Sequence, residues 1–534
     1  MVKCLEEEGV TRIFGYPGVA ISPFYEALYN AGTIEHVLVR QEQAAGHAAS
    51  GYARISRKAA VCVTSSGPGA TNLITALATA YADSIPLIAI TGQVNSNLLG
   101  RDVFQEADMR GSTESFVKYS YLVKSADDIP RIFKEAFYIA STGRKGPVLI
   151  DIPCDVQIDL LKKSFDYTSE VNIRGYKPST KGNNPQMHKV VAAINKAKKP
   201  LICAGGGVIL GNGEECVRQF CEKNNIPLVT TMMGIGVMPK NHPLYFGMLG
   251  NNGKPYANRA VANSDLLIIA GARIADRAVP KPENLEQQVN IIHIDIDTAE
   301  IGKNLGPTIP LVGDIKSIFD RLLQENISID TSNWIETLQD IKKSTVDHRV
   351  FSDKLVNPML LVQHLSEKMD DDAIYVADVG QNQLWSADNY VMKNGRFLTS
   401  GGMGTMGYSI PAAMGAKTAA MDKQVIAVCG DGSFQMSMME LATIRQHNIP
   451  VKIIVLKNNY LGMVREYQHY TYKDHYSVVD LSGSPDLEKL SAAYDIPYLR
   501  LNNMEHVDEI LDAFLAEDNT MLLECLIDPM DLVK

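Results

Sequence analysis

No two of the eight cysteines (Cys4, Cys62, Cys154, Cys203, Cys216, Cys221, Cys429 and Cys525) stand in a Cys-x-x-Cys spacing. The chain therefore lacks the ligand pairs of a zinc ribbon and the dithiol of a redox centre. Most of the cysteines sit inside apolar runs and read as small buried hydrophobes in a reducing compartment. Positive charge is also in short supply, with a formal net charge of −10. General nucleic-acid and membrane-surface binders concentrate positive charge against phosphate, so neither partner is expected. No stretch approaches the roughly 18 apolar residues of a membrane span. The first residues, "MVKCLEEEGV", have no apolar signal core and are too acidic for a transit peptide. A cytoplasmic location is the expectation.

What is present is a long alternation. The 534 residues are enough for two to four domains at about 150 residues each. Short β-branched runs, among them "AAVCVT" at 59, "LIAIT" at 87, "PVLIDI" at 147, "LLIIAG" at 266, "VIAVC" at 425 and "VKIIVL" at 451, alternate with segments of helical period. That is the pattern of βαβ units around parallel sheets. A polar stretch rich in Gly, Pro and Asn at 161–187 and a charged stretch near 330–358 break the rhythm. The fold class is α/β, with three doubly wound parallel-sheet domains: 1–160, then the linker 161–187, then 188–335 and 336–534. The first and third read as duplicates. Each runs strand, glycine turn, helix, Ile-Pro, strand, at Gly67 to Pro86 and at Gly430 to Pro450.

Gly430-Asp431-Gly432 follows one of these strands. Glycines there let main-chain N–H groups approach an anion, and the following helix offers further unpaired N–H groups. A carboxylate beside an anion site repels it unless a hard cation lies between. Asn458, at the end of the next strand, brings a second oxygen to the same point, so a diphosphate–Mg²⁺ cradle is one reading. A plain tight turn and loop is the other. Glu42 opens a small-residue helix after an apolar strand, where low charge density suits proton exchange near neutrality. A Glu favoured by the helix dipole is equally compatible.

The motifs "FGYPG" at 14, "EQAAGHAASGYAR" at 42, "TSSGPGATNL" at 64, "FQE" at 104, "MLG" at 248, "GAR" at 271, "TSGGMGTMGYSIPAAMGAK" at 399, "GDGSFQM" at 430 and "LGMV" at 461 together resemble the thiamin-diphosphate-dependent enzymes. Within that group they resemble the catalytic subunits of acetohydroxyacid synthase, over nearly the whole chain. The resemblance implies an N-terminal pyrimidine-binding domain, a central FAD-type domain and a C-terminal diphosphate-binding domain. Asp431, Asn458 and the carbonyl of Tyr460 resemble Mg²⁺ ligands. Gly430, Gly432 and Ser433 resemble the diphosphate cradle, and Val379, Gly380, Gln381, Gly404 and Met406 the wall around the cofactor, Met406 lying beneath it. Glu42 resembles the carboxylate that protonates the pyrimidine, with Gly18, Pro68 and Asn72 nearby. Val19, Gln105 and Lys118 resemble residues near the reacting groups, and Phe104, Met463 and Tyr467 the acceptor pocket. Gly205, Gly206, Gly207, Thr230, Thr231, Met232, Gly271, Arg273 and Arg277 match positions that contact FAD.

The implied reaction is decarboxylation of pyruvate and condensation with a second 2-oxo acid, pyruvate or 2-oxobutyrate. It belongs to branched-chain amino acid biosynthesis. Alternatives of the same architecture are a pyruvate oxidase or a 2-oxo acid decarboxylase, and, from a different class, a non-catalytic homologue. The resemblance also implies a homodimer or homotetramer with sites between subunits, and a small regulatory subunit. Several positions depart from the family: Asn251, Asn252 and Ala275 near the flavin, Val19 in place of a glycine, Gln41 and Asn382 in place of histidines, and Tyr467 where a Trp selects the acceptor.

Overall fold

The computed structural model describes residues 1–168, 170–279, 285, 289–306 and 308–533. Their strands form three six-stranded sheets in which every pair runs parallel. The first sheet contains β1 (Arg12–Tyr16), β2 (Glu35–Leu38), β3 (Ala60–Thr64), β4 (Leu87–Gln93), β5 (Tyr119–Leu122) and β6 (Pro147–Pro153), in the order β2-β1-β3-β4-β6-β5. The central sheet contains β7 (Pro200–Ala204), β8 (Leu228–Thr230), β9 (Tyr245–Met248), β10 (Leu266–Ala270), β11 (Asn290–Asp295) and β12 (Ile309–Val312), ordered β12-β11-β10-β7-β8-β9. The last contains β13 (Ile374–Ala377), β14 (Arg396–Leu398), β15 (Val425–Gly430), β16 (Lys452–Lys457), β17 (Tyr498–Leu501) and β18 (Met521–Leu526), ordered β14-β13-β15-β16-β18-β17.

The first and third sheets thus repeat one strand order, as the shared sequence pattern predicts. The central sheet differs. Counted in its own strands its order is 3-2-1-4-5-6, that of dinucleotide-binding folds. Strands β3, β4, β6, β7 and β10 are buried at every residue, because helices cover both faces of a parallel sheet. Their continuous apolar runs follow from that burial.

The first and third domains are joined through one core cluster that holds Ala45, Ala48 and Ala49 together with Ala412, Ala413 and Ala416. These residues lie on the helices Glu42–Ser56 and Ser409–Ala419. Small side chains let the two helices approach until a Cβ on Gly51 would lie 1.9 Å from the carbonyl oxygen of Ala412. The glycines are required by contact, not by backbone torsion. Seven of the eight cysteines are buried, Cys154 is half-buried, and all are free. No helix among the described residues is long and apolar enough to cross a membrane.

Candidate active site

In an open parallel sheet, ligands collect at the carboxyl ends of the strands where the strand order reverses. In the first and third sheets that point lies between the equivalent strands β1 and β3, and β13 and β15. The candidate residues gather at both.

At the third sheet, Gly430 ends β15 and Asp431 begins a short helix. Asp431 is 4 % exposed. Its Oδ1 accepts from the N–H of Gly432 at 3.0 Å and its Oδ2 from the N–H of Asn459 at 2.7 Å. Burial pushes its carboxyl up to about 6, against the pull of these donors and of Lys457. No ion pair among the described residues neutralises it, so this buried anion is suited to a cation. Ser433 Oγ bridges the N–H and carbonyl of Gly430 at 3.1 Å each. The side-chain oxygen of Asn458 accepts from the N–H of Tyr460 at 3.0 Å, and Asn459 turns the chain at φ 59°. A Cβ on Gly432 would meet the methyl of Met406 at 3.5 Å, so Met406 lies over the turn.

The partner strand β13 leads into Asp378, Val379 and Gly380. Asp378 is fully buried and accepts from the N–H groups of Val379, Gly407 and Ser409 at 2.8 to 2.9 Å. One carboxylate thus ties the end of β13 to the segment that carries Gly404 and Met406. Sequence reasoning passed over Asp378, although "YVADVG" repeats the form of "AVCGDG": an Asp at the end of a buried run. Gly380 caps the helix Gln381–Asn389 at φ 138°. The Nδ2 of Asn382 lies 3.6 Å from where a Cβ would sit on either Gly380 or Gly430, between the two turns. Gln381 turns away, donating to buried Glu466 at 2.7 Å, and so braces the helix Gly462–Tyr472. That helix places Met463, half-buried, and Tyr467, 59 % exposed, one turn apart.

At the first sheet, Gly18 follows β1 and is pressed against Ser65, whose Oγ would lie 2.4 Å from a Cβ at Gly18. Gly67, at φ 56°, touches Gln105, itself at φ 61°. Glu42 begins its helix after β2. Its Oε2 accepts from Asn72 Nδ2 at 2.9 Å, and its Oε1 faces Gly69, the residue after Pro68. Gly18, Ser65, Gly67, Pro68, Asn72, Gln105 and Glu42 thus form one cluster. Val19 and Phe104 stand beside it at 84 % and 87 % exposure.

Lys118 does not join them. Its N–H donates to the carbonyl of Pro147, the first residue of β6, which is the amino edge of the sheet. Its ammonium is held by the carbonyl of Thr142 at 2.8 Å, the hydroxyl of Tyr176 at 2.9 Å and the carbonyl of Ile139. Strand polarity puts the cluster at the opposite edge, so the expectation for Lys118 is corrected. Cys154 stands instead at the carboxyl end of β6.

In the central sheet the order reverses between β7 and β10. Gly205–Gly207 follows one strand and Gly271 the other. The turns interlock: a Cβ on Gly207 would lie 2.7 Å from the Cα of Gly271, and one on Gly205 would lie 2.4 Å from its carbonyl oxygen. Gly206 faces Met233 instead. The Thr230 hydroxyl is paired with that of Tyr245 at 3.0 Å. Thr231, Met232 and Arg273 are half-buried, and Arg277 is exposed beside Asp276 at 3.6 Å. Asn251 donates its N–H to the Arg277 carbonyl at 2.9 Å, Asn252 is half-buried and Ala275 exposed.

Comparison with known proteins agrees with this layout. Models of the thiamine pyrophosphate enzymes match in all three domains: the N-terminal TPP binding domain over residues 1–112, the central domain over 187–322 and the C-terminal TPP binding domain over 378–525. A probable acetolactate synthase large subunit of Methanocaldococcus jannaschii is 44% identical over 99% of this chain and 92% of its own length. The acetolactate synthase large subunit of Lactococcus lactis is 41% identical over 100% of this chain and 92% of its own length. An acetolactate synthase of Mycobacterium bovis is 43% identical over 96% and 84%. With two thiamin-diphosphate-type half-sites at equivalent switch points and relatives that span all three domains, the chain belongs to the acetolactate synthase large-subunit family of the thiamine pyrophosphate enzymes.

Proposed function

We propose that the chain decarboxylates pyruvate and joins the remaining two-carbon unit to a second 2-oxo acid, giving 2-acetolactate from pyruvate or 2-aceto-2-hydroxybutyrate from 2-oxobutyrate. The observation that carries this reading is the pair of half-sites on duplicated sheets. One holds a buried, unneutralised carboxylate in a glycine turn, Asp431, and the other a helix-start carboxylate oriented by an amide, Glu42 with Asn72.

Thiamin diphosphate supplies the carbon chemistry when bound, and the protein orients it. Asp431, Asn458 and the Tyr460 carbonyl would hold Mg²⁺, an all-oxygen set with one charge that leaves positions for phosphate and water. The turn Gly430–Gly432 and Ser433 would form the cradle of the diphosphate, with the N–H groups of Gly430 and Gly432 held by Ser433 Oγ and Asp431 until a ligand takes their place, while Val379, Gly380, Gly404 and Met406 would line the space beside it. Glu42 would hold a proton toward the pyrimidine ring, its second oxygen fixed by Asn72. Gln105, Val19 and Phe104 stand where substrate would enter, and Met463 and Tyr467 flank the acceptor.

Each half-site carries exposed apolar side chains: Val19 and Phe104 at one, and Met403, Val464, Tyr467 and Val478 at the other. Such surface favours burial against a second copy, so the active unit is a homodimer, or a homotetramer built from it. A small regulatory subunit is a further partner, suggested by the "large subunit" in the relatives' names. FAD would lie at the switch point between β7 and β10, where Arg273 and Arg277 suit a pyrophosphate. The interlocking of Gly205, Gly207 and Gly271 explains those glycines without a flavin, so the strand order is the stronger support. Eight free cysteines support a cytoplasmic location.

The test is product analysis with pyruvate alone and with 2-oxobutyrate added, in the presence of thiamin diphosphate and Mg²⁺. Acetolactate in the first case and acetohydroxybutyrate in the second are expected. Free acetaldehyde as the main product would make the chain a decarboxylase. Flavin reduction in step with turnover would make it an oxidase.

A further inference from the structure

Beyond the edge strand β9, where the central domain meets the last one, lies a cavity of about 180 Å³. Lys240, Lys254 and Lys342 line it, from three separate segments, together with Asp388. Its wall adjoins the flavin candidate site, since Ile235 and Met248 pack in one cluster with Met232. Strand β8 stands between β9 and the switch point of the central sheet. Asp388 is near the end of the helix Gln381–Asn389, whose start, at Gly380, faces the Gly430 turn. A helix of that length spans about 13 Å.

The charges here do not balance. Asp388 is 7 % exposed and takes the ammonium of Lys254 on Oδ1 at 2.7 Å and Arg349 on Oδ2 at 2.9 Å. Asp347 belongs to Arg349. Lys240 donates to the main-chain carbonyls of Asp388 at 2.7 Å and Tyr390 at 3.2 Å, the helix end where a cation is favoured. Two of its three donors are used and the third has no acceptor among the described residues. Lys342 reaches the mouth over the rings of Tyr256 and Phe246, at 5.6 and 5.9 Å, and forms no ion pair among the described residues. Four cations therefore share two carboxylates. Crowded ammonium groups in a partly desolvated space are unfavourable unless an anion joins them. Burial and the neighbouring Lys254 push Lys240 down to about 7, and Lys342 is shifted the same way by the same causes.

The remaining wall is apolar. Ile235, Met238, Met248 and Met392 face the space, and Gly236, at φ 112°, brings its backbone against the Met392 methyl. A bare inorganic ion would leave that wall in contact with water. The volume accommodates about a dozen waters or one short organic molecule.

We propose that this cavity is a second binding site, apart from the catalytic centre, for a small carboxylate with a short branched or linear apolar body. The carboxylate would meet Lys342, Lys254 and the free donor of Lys240, and the body would lie on the methionines. Tyr256 and Tyr390 line the same space, and the Tyr256 hydroxyl lies 3.3 Å from where a Cβ would sit on Gly247, another lining residue.

The experiment is calorimetric titration of the full chain, with thiamin diphosphate present, using isovalerate in one series and inorganic phosphate in another. Isovalerate is expected to bind once per chain and more tightly than phosphate. Lys342→Gln should weaken it at least tenfold and Lys342→Arg should retain it. Because Lys342 is exposed at the mouth, both variants should fold and turn over pyruvate as the parent does. Three results would each overturn the proposal: no isovalerate binding at millimolar concentration, binding that Lys342→Gln leaves unchanged, or phosphate binding in preference to isovalerate.

Discussion

The carbonyl oxygen of Ala48 occupies the place where a side chain on Gly415 would begin: an added Cβ would lie 1.7 Å from it. With its counterpart at Gly51 and Ala412, this contact fixes the helix that starts at Glu42 against the helix that follows Met406. Backbone touches backbone there, and neither side can yield by rotating a side chain.

Gly415→Ala is therefore expected to cost at least about 3 kcal/mol, at or above the usual range for overpacking. Gly483 meets nothing within 4 Å, and Gly483→Ala is the control. Urea denaturation of the two variants should separate them clearly. Similar midpoints would mean that the helices part more easily than the contact implies.

Glu42→Gln keeps the size and the hydrogen-bonding capacity toward Asn72 but removes the acid. Turnover should fall at least about a hundredfold, the scale of a lost proton-transfer partner, while thiamin diphosphate affinity measured by calorimetry stays near that of the parent. Asp431→Ala should do the reverse at the binding step. It removes the buried charge and the two N–H contacts that hold Gly432 and Asn459. Cofactor affinity should drop, with only partial recovery in excess Mg²⁺. Unchanged affinity would move the metal site elsewhere.

Tyr467 is 59 % exposed and meets the ring of Tyr472 edge-on, at 5.9 Å between ring centres. One methylene in an apolar pocket is worth about 1 to 3 kcal/mol of selectivity, and a smaller ring bearing a hydroxyl offers less contact to that group than an indole. The parent should discriminate weakly between acceptors. Tyr467→Trp should raise the ratio of acetohydroxybutyrate to acetolactate several-fold in competition, read by product chromatography. An unchanged ratio would exclude Tyr467 as the selector.

His47 sits on the Glu42 helix, 1 % exposed and edge-on to Tyr408 at 5.3 Å. Burial pushes its imidazole from 6.5 down to about 3. A depressed folded-state value means that its contribution to stability is complete above pH 6.5 and is lost as pH falls toward 3. His47→Gln should flatten part of the acid-side decline between pH 6.5 and 4. His36, pushed down to about 4, keeps some of it. Equal slopes for parent and variant in urea midpoints against pH would contradict the assignment.

Much of this protein was legible in the order of its residues. Buried parallel strands announce themselves as unbroken apolar runs, and the repeated strand, glycine turn, helix and Ile-Pro pattern at Gly67 and Gly430 anticipated two sheets of one strand order. Asp431, Asn458 and Glu42 stood out because each is polar at the end of such a run, which is a local property. Other features depend on which distant segments meet. Asp378 gains its role because three N–H groups, from its own turn and from the Gly407–Ser409 segment, converge on it. Lys118 entered the site by family resemblance, but strand polarity carries it to the opposite edge of the sheet. Gly51 and Gly415 read as small helix residues, and only the packing of two helices from different domains makes them indispensable. The lysines at 240, 254 and 342 are unremarkable one at a time, and only tertiary packing brings them to one cavity with Asp388. Local sequence determines what each strand end presents; the tertiary arrangement decides what it faces, because electrostatic and steric contacts act through space without regard to separation along the chain.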